Sequence, residues 1–281
     1  LKEYKKALKD IDRAIELRKE SPTDTFHIFK AEIHLMLGQE KSVLTEAKKA
    51  LEINYGPRTL FYILEFAFVL EQYDLCIEYA NEYLQFVRDN EKVYYYRGSS
   101  LMKGGALDSL IIYDLQKALK LTEQETDTSR LKLYTYFQLG RFFHKRMQWD
   151  SAISYYNRIL NTDDSLVEEM NLFYEVVACY FYSHKYDKAI TMLSMHTSIY
   201  KWHNNLYLLG RSNEYLVSYK EAIDYYSVII EDKDKENLPY ATIHRGICFL
   251  KLGDSEQAIR DLKKAKGKWY EKDPLIYLDL G

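Results

Sequence analysis

Apolar and polar residues alternate along this chain with the period of amphipathic helices, and the pattern itself recurs. An aromatic residue, two intervening positions and a small residue appear as Tyr4–Ala7, Tyr73–Cys76, Trp149–Ala152, Tyr186–Ala189 and Tyr219–Ala222. Degenerate copies end at Val43, Ile111 and Ala258. From Ala7 to Ala258 the small residues are 36, 33, 35, 41, 37, 33 and 36 positions apart. A period near 35 marks a repeat array built from one supersecondary unit. The single 41 predicts an insertion, and the polar stretch Thr122–Arg130 (TEQETDTSR) lies where it is needed.

Seven residues beyond the small residue several copies carry a second Ala: Ala14, Ala50, Ala118 and Ala265. Seven residues is nearly two helical turns, so both positions share a face. Ile11, Tyr156, Leu193, Tyr226 and Leu262 fill the interval. The pattern predicts a helix that packs closely where its Ala residues stand. About a dozen residues upstream lies another amphipathic helix, marked by an apolar residue and Gly at Leu139-Gly140 and Leu209-Gly210. Gly98 and Gly246 are looser copies, and Leu280-Gly281 begins another.

The sparse helix breakers fall into register. Pro22 and Pro57 are 35 apart, as are Pro239 and Pro274. All four are expected at entries of first helices, where a missing N–H costs little. Ser21 and Asp273 are the expected N-caps. Asp74, Asp150 and Asp187 open second helices, at the positive end of the dipole. Gly38, Gly105 and Gly253 are placed between the two helices of a unit, as C-terminal caps.

These residues resemble the tetratricopeptide repeat family. The resemblance is carried by the first-helix residues Tyr136, Phe173 and Leu206, the Leu-Gly pairs and the later aromatics Phe143, Tyr180 and Phe249. Ala152, Ala189, Ala222 and Ala258 carry it on the second helices, and it covers essentially the whole chain. The unit at 57–90 is degenerate, with Leu64 in the usual Gly place and Cys76 and Tyr83 at the Ala positions. The resemblance implies an all-α fold, a right-handed superhelical solenoid of stacked antiparallel helix pairs. The expected units are 24–54, 57–87, 91–121, 131–161, 170–200, 203–232 and 239–268, after a half repeat at 1–20 and before a truncated one at 274–281. A chain that begins and ends inside a unit is expected to be part of something longer.

Composition narrows the function. The 281 residues are 47% hydrophobic and 29% charged, too apolar for disorder and too charged for a membrane-embedded chain. The longest apolar run is 176–182, far short of the roughly 20 residues of a membrane helix. A net charge of −3 argues against binding dominated by phosphates. The three cysteines are isolated at small-residue positions and read as packed thiols. His27 and His34 are seven apart, as are His196 and His203, whereas ligand pairs on a helix stand three or four apart. They read as groove or surface histidines. Asp163-Asp164 and Glu168-Glu169 fall at helix starts, where negative charge is favoured structurally. Neither a phosphate loop, a nucleophile elbow nor a metal motif occurs. No catalytic residue, metal or cofactor is expected, and the chain is not expected to be an enzyme. The setting is expected to be soluble, cytoplasmic before periplasmic or anchored.

The resemblance also implies a concave groove lined by first helices. Carried over by position, its candidate lining is Tyr62, Tyr95, Tyr96, Phe137, Arg141, Lys145, Asn171, Tyr174, Asn204, Tyr207, Arg211 and Tyr215, with Phe61, Tyr134, Gln138, His144, Tyr182, Tyr240 and His244 nearby. Tyr supplies contact area at small entropic cost, and Arg can fork onto a carboxylate. The expected partner is an extended protein or peptide segment with an acidic or carboxylate feature. Phe61, Tyr62, Glu65 and Ser99 stand where the family's carboxylate clamp has Lys and Asn, which argues against capture of chaperone tails. The alternatives are a regulatory arm of a larger signalling or DNA-binding protein and, less favoured, an RNA-binding helical repeat.

Overall fold

The computed structural model describes residues 2–123, 129–162, 172–194, 203–233 and 237–268. Among them are fifteen helices and no strand. They are α1 (Lys2–Leu17), α2 (Asp24–Met36), α3 (Glu40–Ile53), α4 (Pro57–Val69), α5 (Tyr73–Phe86), α6 (Glu91–Gly104), α7 (Asp108–Leu121) and α8 (Arg130–Lys145). There follow α9 (Trp149–Leu160), α10 (Leu172–Tyr182), α11 (Tyr186–Ser194), α12 (His203–Tyr215), α13 (Tyr219–Glu231), α14 (Leu238–Lys251) and α15 (Ser255–Lys268). The truncated repeat at 274–281, with Asp273, Pro274 and Leu280-Gly281, lies outside the described residues. So do Asp163-Asp164, Glu168-Glu169 and His196, and residues 124–128 of the expected insertion.

One local device makes every helix pair. The residue closing each first helix adopts the left-handed region: Gly38, Glu71, Gly105, Met147, His184, Val217 and Gly253. The next N–H returns to the carbonyl five residues back, as from Gln39 to His34 (2.9 Å), Gln148 to Phe143 (2.9 Å) and Ser218 to Asn213 (2.9 Å). This 6→1 bond satisfies a carbonyl that the helix end would orphan and turns the chain sharply back. Gly takes the conformation freely; four of the seven positions use other side chains, and Val217, at φ 64°, is the most strained because it is β-branched.

Helix entries vary more. Pro57 is the first residue of α4, and Pro239 stands in the first turn of α14. Pro22 does not enter a helix: α2 starts at Asp24 with Thr23, not Ser21, in the N-cap position. Thr23 takes φ −123° and ψ 135°, a φ outside the range of the proline ring, and Pro22 stands one place earlier. The Asn90 carboxamide oxygen accepts from the Val93 N–H at the start of α6 (3.1 Å), an N-cap of the usual kind.

The chain divides into two compact units, 1–142 and 143–281, with the boundary inside α8. Within the first, each helix from α1 to α7 packs on the next, and the first helices α2, α4 and α6 also touch in a row. Within the second, α9 to α15 pack likewise, and α10, α12 and α14 form the corresponding row. Leu60, Ile63, Ala80 and Val93 lie in the core of the first unit. Val177, Leu193, Leu209, Tyr226 and Ile229 lie in that of the second.

Packing inside a pair follows a size rule. A first-helix residue faces the residue sixteen or seventeen positions later. Gly210 faces the ring of Tyr226, Gly246 faces Leu262 and Gly98 faces Leu115. Where the first helix carries Leu64, the corresponding second-helix residue is Ala80, and both are fully buried. The degenerate unit thus keeps the volume and exchanges which helix supplies it. Close packing of this kind is sensitive to a single methylene.

Candidate functional site

The row of first helices in the second unit carries a hollow of about 520 Å³. Tyr174, Phe181 and Tyr182 come from α10, and Asn204, Tyr207, Arg211 and Tyr215 from α12; α14 adds Tyr240. His184, Tyr186, Leu208 and Asn237 complete the wall. Residues 204, 207, 211 and 215 are three or four apart, so α12 presents them as one stripe.

The aromatic wall is braced by ring contacts. Tyr215 stacks on Tyr186 with ring centroids 4.7 Å apart and planes 3° from parallel. Tyr182 stacks on Trp149 at 5.4 Å. Phe181 touches both, 5.4 Å from Tyr182 and 5.8 Å from Tyr215. Tyr182 and Tyr215 nevertheless remain half exposed. Two open rings are thus held in fixed orientation, their rotamer entropy already spent in folding.

Arg211 is the charged centre. Its Nη1 donates to Nε2 of His244 (2.9 Å), its Nη2 donates to the Tyr215 hydroxyl (3.0 Å), and Tyr207 lies 3.4 Å from Nη1. Its guanidinium also lies over the Tyr215 ring, 5.3 Å from the centroid. His244 is buried and presents Nδ1 to Glu214 at 3.0 Å; Tyr226 donates its hydroxyl to the same carboxylate (2.9 Å). Burial alone would push the Glu214 carboxyl up, but His244, Tyr226 and Arg211 together hold it below the usual carboxylate range. Burial works against the Arg211 cation, yet the Tyr207 and Glu214 oxygens around it keep it firmly charged. The guanidinium is therefore compensated within the protein. The Asn237 side-chain amide donates to Oδ1 of Asn204 (2.6 Å), tying α12 to the start of α14.

No protein-family model and no curated protein matches this sequence. Solved structures do match. The C-terminal part of a TPR repeat-containing protein from Cytophaga hutchinsonii aligns at TM-score 0.68 and 21% identity, over 89% of this chain and 98% of that one. The chain has the tetratricopeptide-repeat fold. A tetratricopeptide repeat protein from Parabacteroides merdae aligns over 91% of this chain and 96% of that one, at TM-score 0.55 and 14% identity.

Of the tetratricopeptide-repeat positions proposed from sequence for a groove, Tyr174, Asn204, Tyr207, Arg211 and Tyr215 line this one hollow. Asn171 lies outside the described residues. Lys145 is exposed at the end of α8. The remainder belong to the first unit. Tyr62 lines a separate shallow hollow of about 460 Å³ with Phe61, Arg58, Tyr83 and Asn90. Tyr96 is half-buried and donates its hydroxyl to Glu65 on the neighbouring first helix (2.8 Å). Phe137 is half-buried beneath the Arg141 guanidinium, 5.8 Å from its ring centroid. Tyr95 differs from expectation: it is buried, 5.9 Å from Phe68 and 5.6 Å from Tyr96, and its phenol is pushed up by burial. Three adjacent tyrosines on α6 cannot share one face, so Tyr94 and Tyr95 turn into the packing while Tyr96 keeps some exposure.

Two of the histidines read as groove or surface residues are tied into the protein. His34 is buried and its Nδ1 lies 2.6 Å from Gln39 across the turn, and His27 pairs with the buried Glu46 (2.7 Å). The three cysteines are buried, and burial pushes the Cys76 thiol up to about 11 and those of Cys179 and Cys248 up to about 12. Among the described residues no cluster of His, Cys, Asp or Glu could hold a metal ion, and no helix is long and apolar enough to cross a membrane.

Sequence reasoning missed three features. Trp149, Phe181 and Tyr186 brace the wall. Glu214 and His244 anchor Arg211 rather than merely diluting its charge. In two other pairs an Arg beside the small Gly forks onto an Asp: Arg97 onto Asp114 (2.8 and 2.7 Å) and Arg245 onto Asp261 (2.8 and 2.9 Å). The recurring Arg-Gly with an Asp sixteen or seventeen residues after the Arg was the available signal.

Proposed function

We propose that this chain is a binding module that takes an extended segment of a protein partner against the first helices α10, α12 and α14, without catalysis. The observation that carries the reading is the hollow of about 520 Å³, open to solvent and walled by Tyr174, Tyr207, Tyr215 and Tyr240 around Arg211 and Asn204. Amphipathic rings with one compensated cation suit recognition, since they bury area and keep hydroxyls for peptide groups. The test is a display library of random peptides panned on the intact chain, followed by affinity measurement of the enriched sequences. Enriched peptides should lose at least tenfold in affinity on Tyr207→Ala or Tyr174→Ala and be indifferent to Lys41→Ala, an exposed residue of the other unit. Equal binding to all three variants, or no enrichment, would remove the hollow from the function.

A further inference from the structure

In the first unit the first helices α2 and α4 leave an apolar face uncovered. Phe29 and Met36 on α2 are 46% and 61% exposed, and Val69 on α4 is 53% exposed. Phe29, Glu32 and Met36 stand three and four apart, and so do Tyr62, Glu65 and Val69. Each helix therefore presents its three residues as one stripe. The second stripe is the first displaced by one repeat of 33 residues, and the two helices touch. A single exposed apolar side chain is ordinary on a protein surface, but a row repeated in register on adjacent helices is not.

The middle of the face is acidic. Glu32 and Glu65 directly follow the buried Ala31 and Leu64, as Arg211 follows Gly210 on α12. Where the second unit carries a compensated cation, the first carries two half-buried carboxylates. Glu65 accepts the Tyr96 hydroxyl, and among the described residues neither carboxylate has an ion-pair partner. Burial and the neighbouring Glu65 charge both push the Glu32 carboxyl up.

The cations of the two helices are engaged elsewhere. Lys30 pairs with Asp12 (2.7 Å) and Glu46 (3.4 Å). Arg58 donates to Thr25 (3.2 Å) and faces Asp24 at 3.9 Å. The face thus combines apolar contact area with negative charge that the protein does not itself neutralise. A cation placed between Glu32 and Glu65 would relieve their repulsion and gain charge-assisted hydrogen bonds. An acidic segment would be repelled, and a purely apolar one would leave the like charges facing each other.

We propose that this face of α2 and α4 is a second docking surface, whose occupant is a basic amphipathic segment of a protein partner, with Lys or Arg between Glu32 and Glu65 and apolar side chains on Phe29, Met36 and Val69. It lies in the first unit and goes beyond the hollow of α10, α12 and α14.

The experiment is fluorescence anisotropy with the intact chain and three labelled dodecapeptides that share their Leu positions and carry Lys, Ser or Glu at the others. The Lys-Leu peptide should bind at least tenfold more tightly than either other. Glu32→Gln and Glu65→Gln should each weaken it about threefold and together about tenfold. Met36→Ser, at an exposed position, should weaken it about threefold. Glu221→Gln, which removes one exposed charge from the second unit, should leave it unchanged. Unchanged melting temperatures show that the variants fold. No binding of the Lys-Leu peptide, or binding as sensitive to Glu221→Gln as to Glu32→Gln and Glu65→Gln, overturns the proposal. Equal binding of the Ser-Leu peptide also overturns it, by making the face merely apolar. So does self-association of the chain that Met36→Ser abolishes, by assigning the face to a second copy.

Discussion

The ring of Tyr226 occupies the place where a β-carbon on Gly210 would stand: that carbon would lie 2.4 Å from Cε1. Tyr226 is fully buried and its hydroxyl is held by Glu214, so the ring cannot swing aside. Gly210→Ala is expected to destabilise the protein by about 2–3 kcal/mol, the cost of overpacking a rigid core. Combining it with Tyr226→Leu should recover part of that loss. A denaturant double-mutant cycle measures the coupling; strictly additive effects would show that the two side chains do not meet.

Val217 takes a left-handed conformation that costs a β-branched residue about 1–2 kcal/mol. Val217→Gly relieves that strain and gives back about 0.5–1 kcal/mol in unfolded-chain entropy. The net expectation is a gain of about 0.5–1 kcal/mol, visible as a rise in melting temperature. Gly253→Val, at the equivalent turn, should lower it by a similar amount.

Asp114 is almost wholly buried and receives two N–H groups from Arg97. Burial disfavours the Arg97 cation, and the carboxylate opposite more than restores it. Asp114→Ala leaves that cation half-buried without its partner and should cost about 3–5 kcal/mol. Arg97→Lys cannot reproduce the fork and should also destabilise, though less. Chemical denaturation checks both, and the parallel pair Arg245–Asp261 should behave alike.

Glu214 is held below the usual carboxylate range, so its ionised form is favoured by folding. Such a group contributes stability at pH values above its unfolded value, near 4.3, and that contribution is lost as pH falls through the lower folded value. Melting temperature should fall between pH 5 and 3, and Glu214→Gln should be less stable at pH 7 with a shallower acid limb. An identical acid limb in the variant would assign the effect to other carboxylates.

The buried thiols should be inert. Iodoacetamide at pH 8 should leave Cys76, Cys179 and Cys248 unmodified in the folded protein and alkylate all three in denaturant, as read by intact mass. Rapid labelling under native conditions would contradict their burial.

What the sequence showed and what it hid divide along physical lines. Helix pairs were legible because the small residues at Ala152, Ala189 and Ala222 recur at a fixed period, and period survives substitution. The turn glycines at 38, 105 and 253 were legible because few residues tolerate positive φ; Glu71, Met147, His184 and Val217 in the same conformation leave no such trace. The stripe on α12 was legible from its spacing of three and four. Its chemistry was not. Whether Arg211 is open to a carboxylate depends on Glu214 and on His244, thirty-three residues away, and no local pattern records that contact. Tyr95 shows the same limit: three consecutive tyrosines look alike in sequence, and only packing decides which one is buried.

The exchange of bulk between Leu64 with Ala80 and Gly210 with Tyr226 bears on how such a chain can change over time. A single helix moved between pairs would bring Ala opposite Gly, leaving a hole, or Tyr opposite Leu, where both cannot fit. Only whole pairs are interchangeable parts. Duplication, loss or grafting of repeats in this chain should therefore respect boundaries between pairs, with the tight left-handed turn as the one joint that must not be cut.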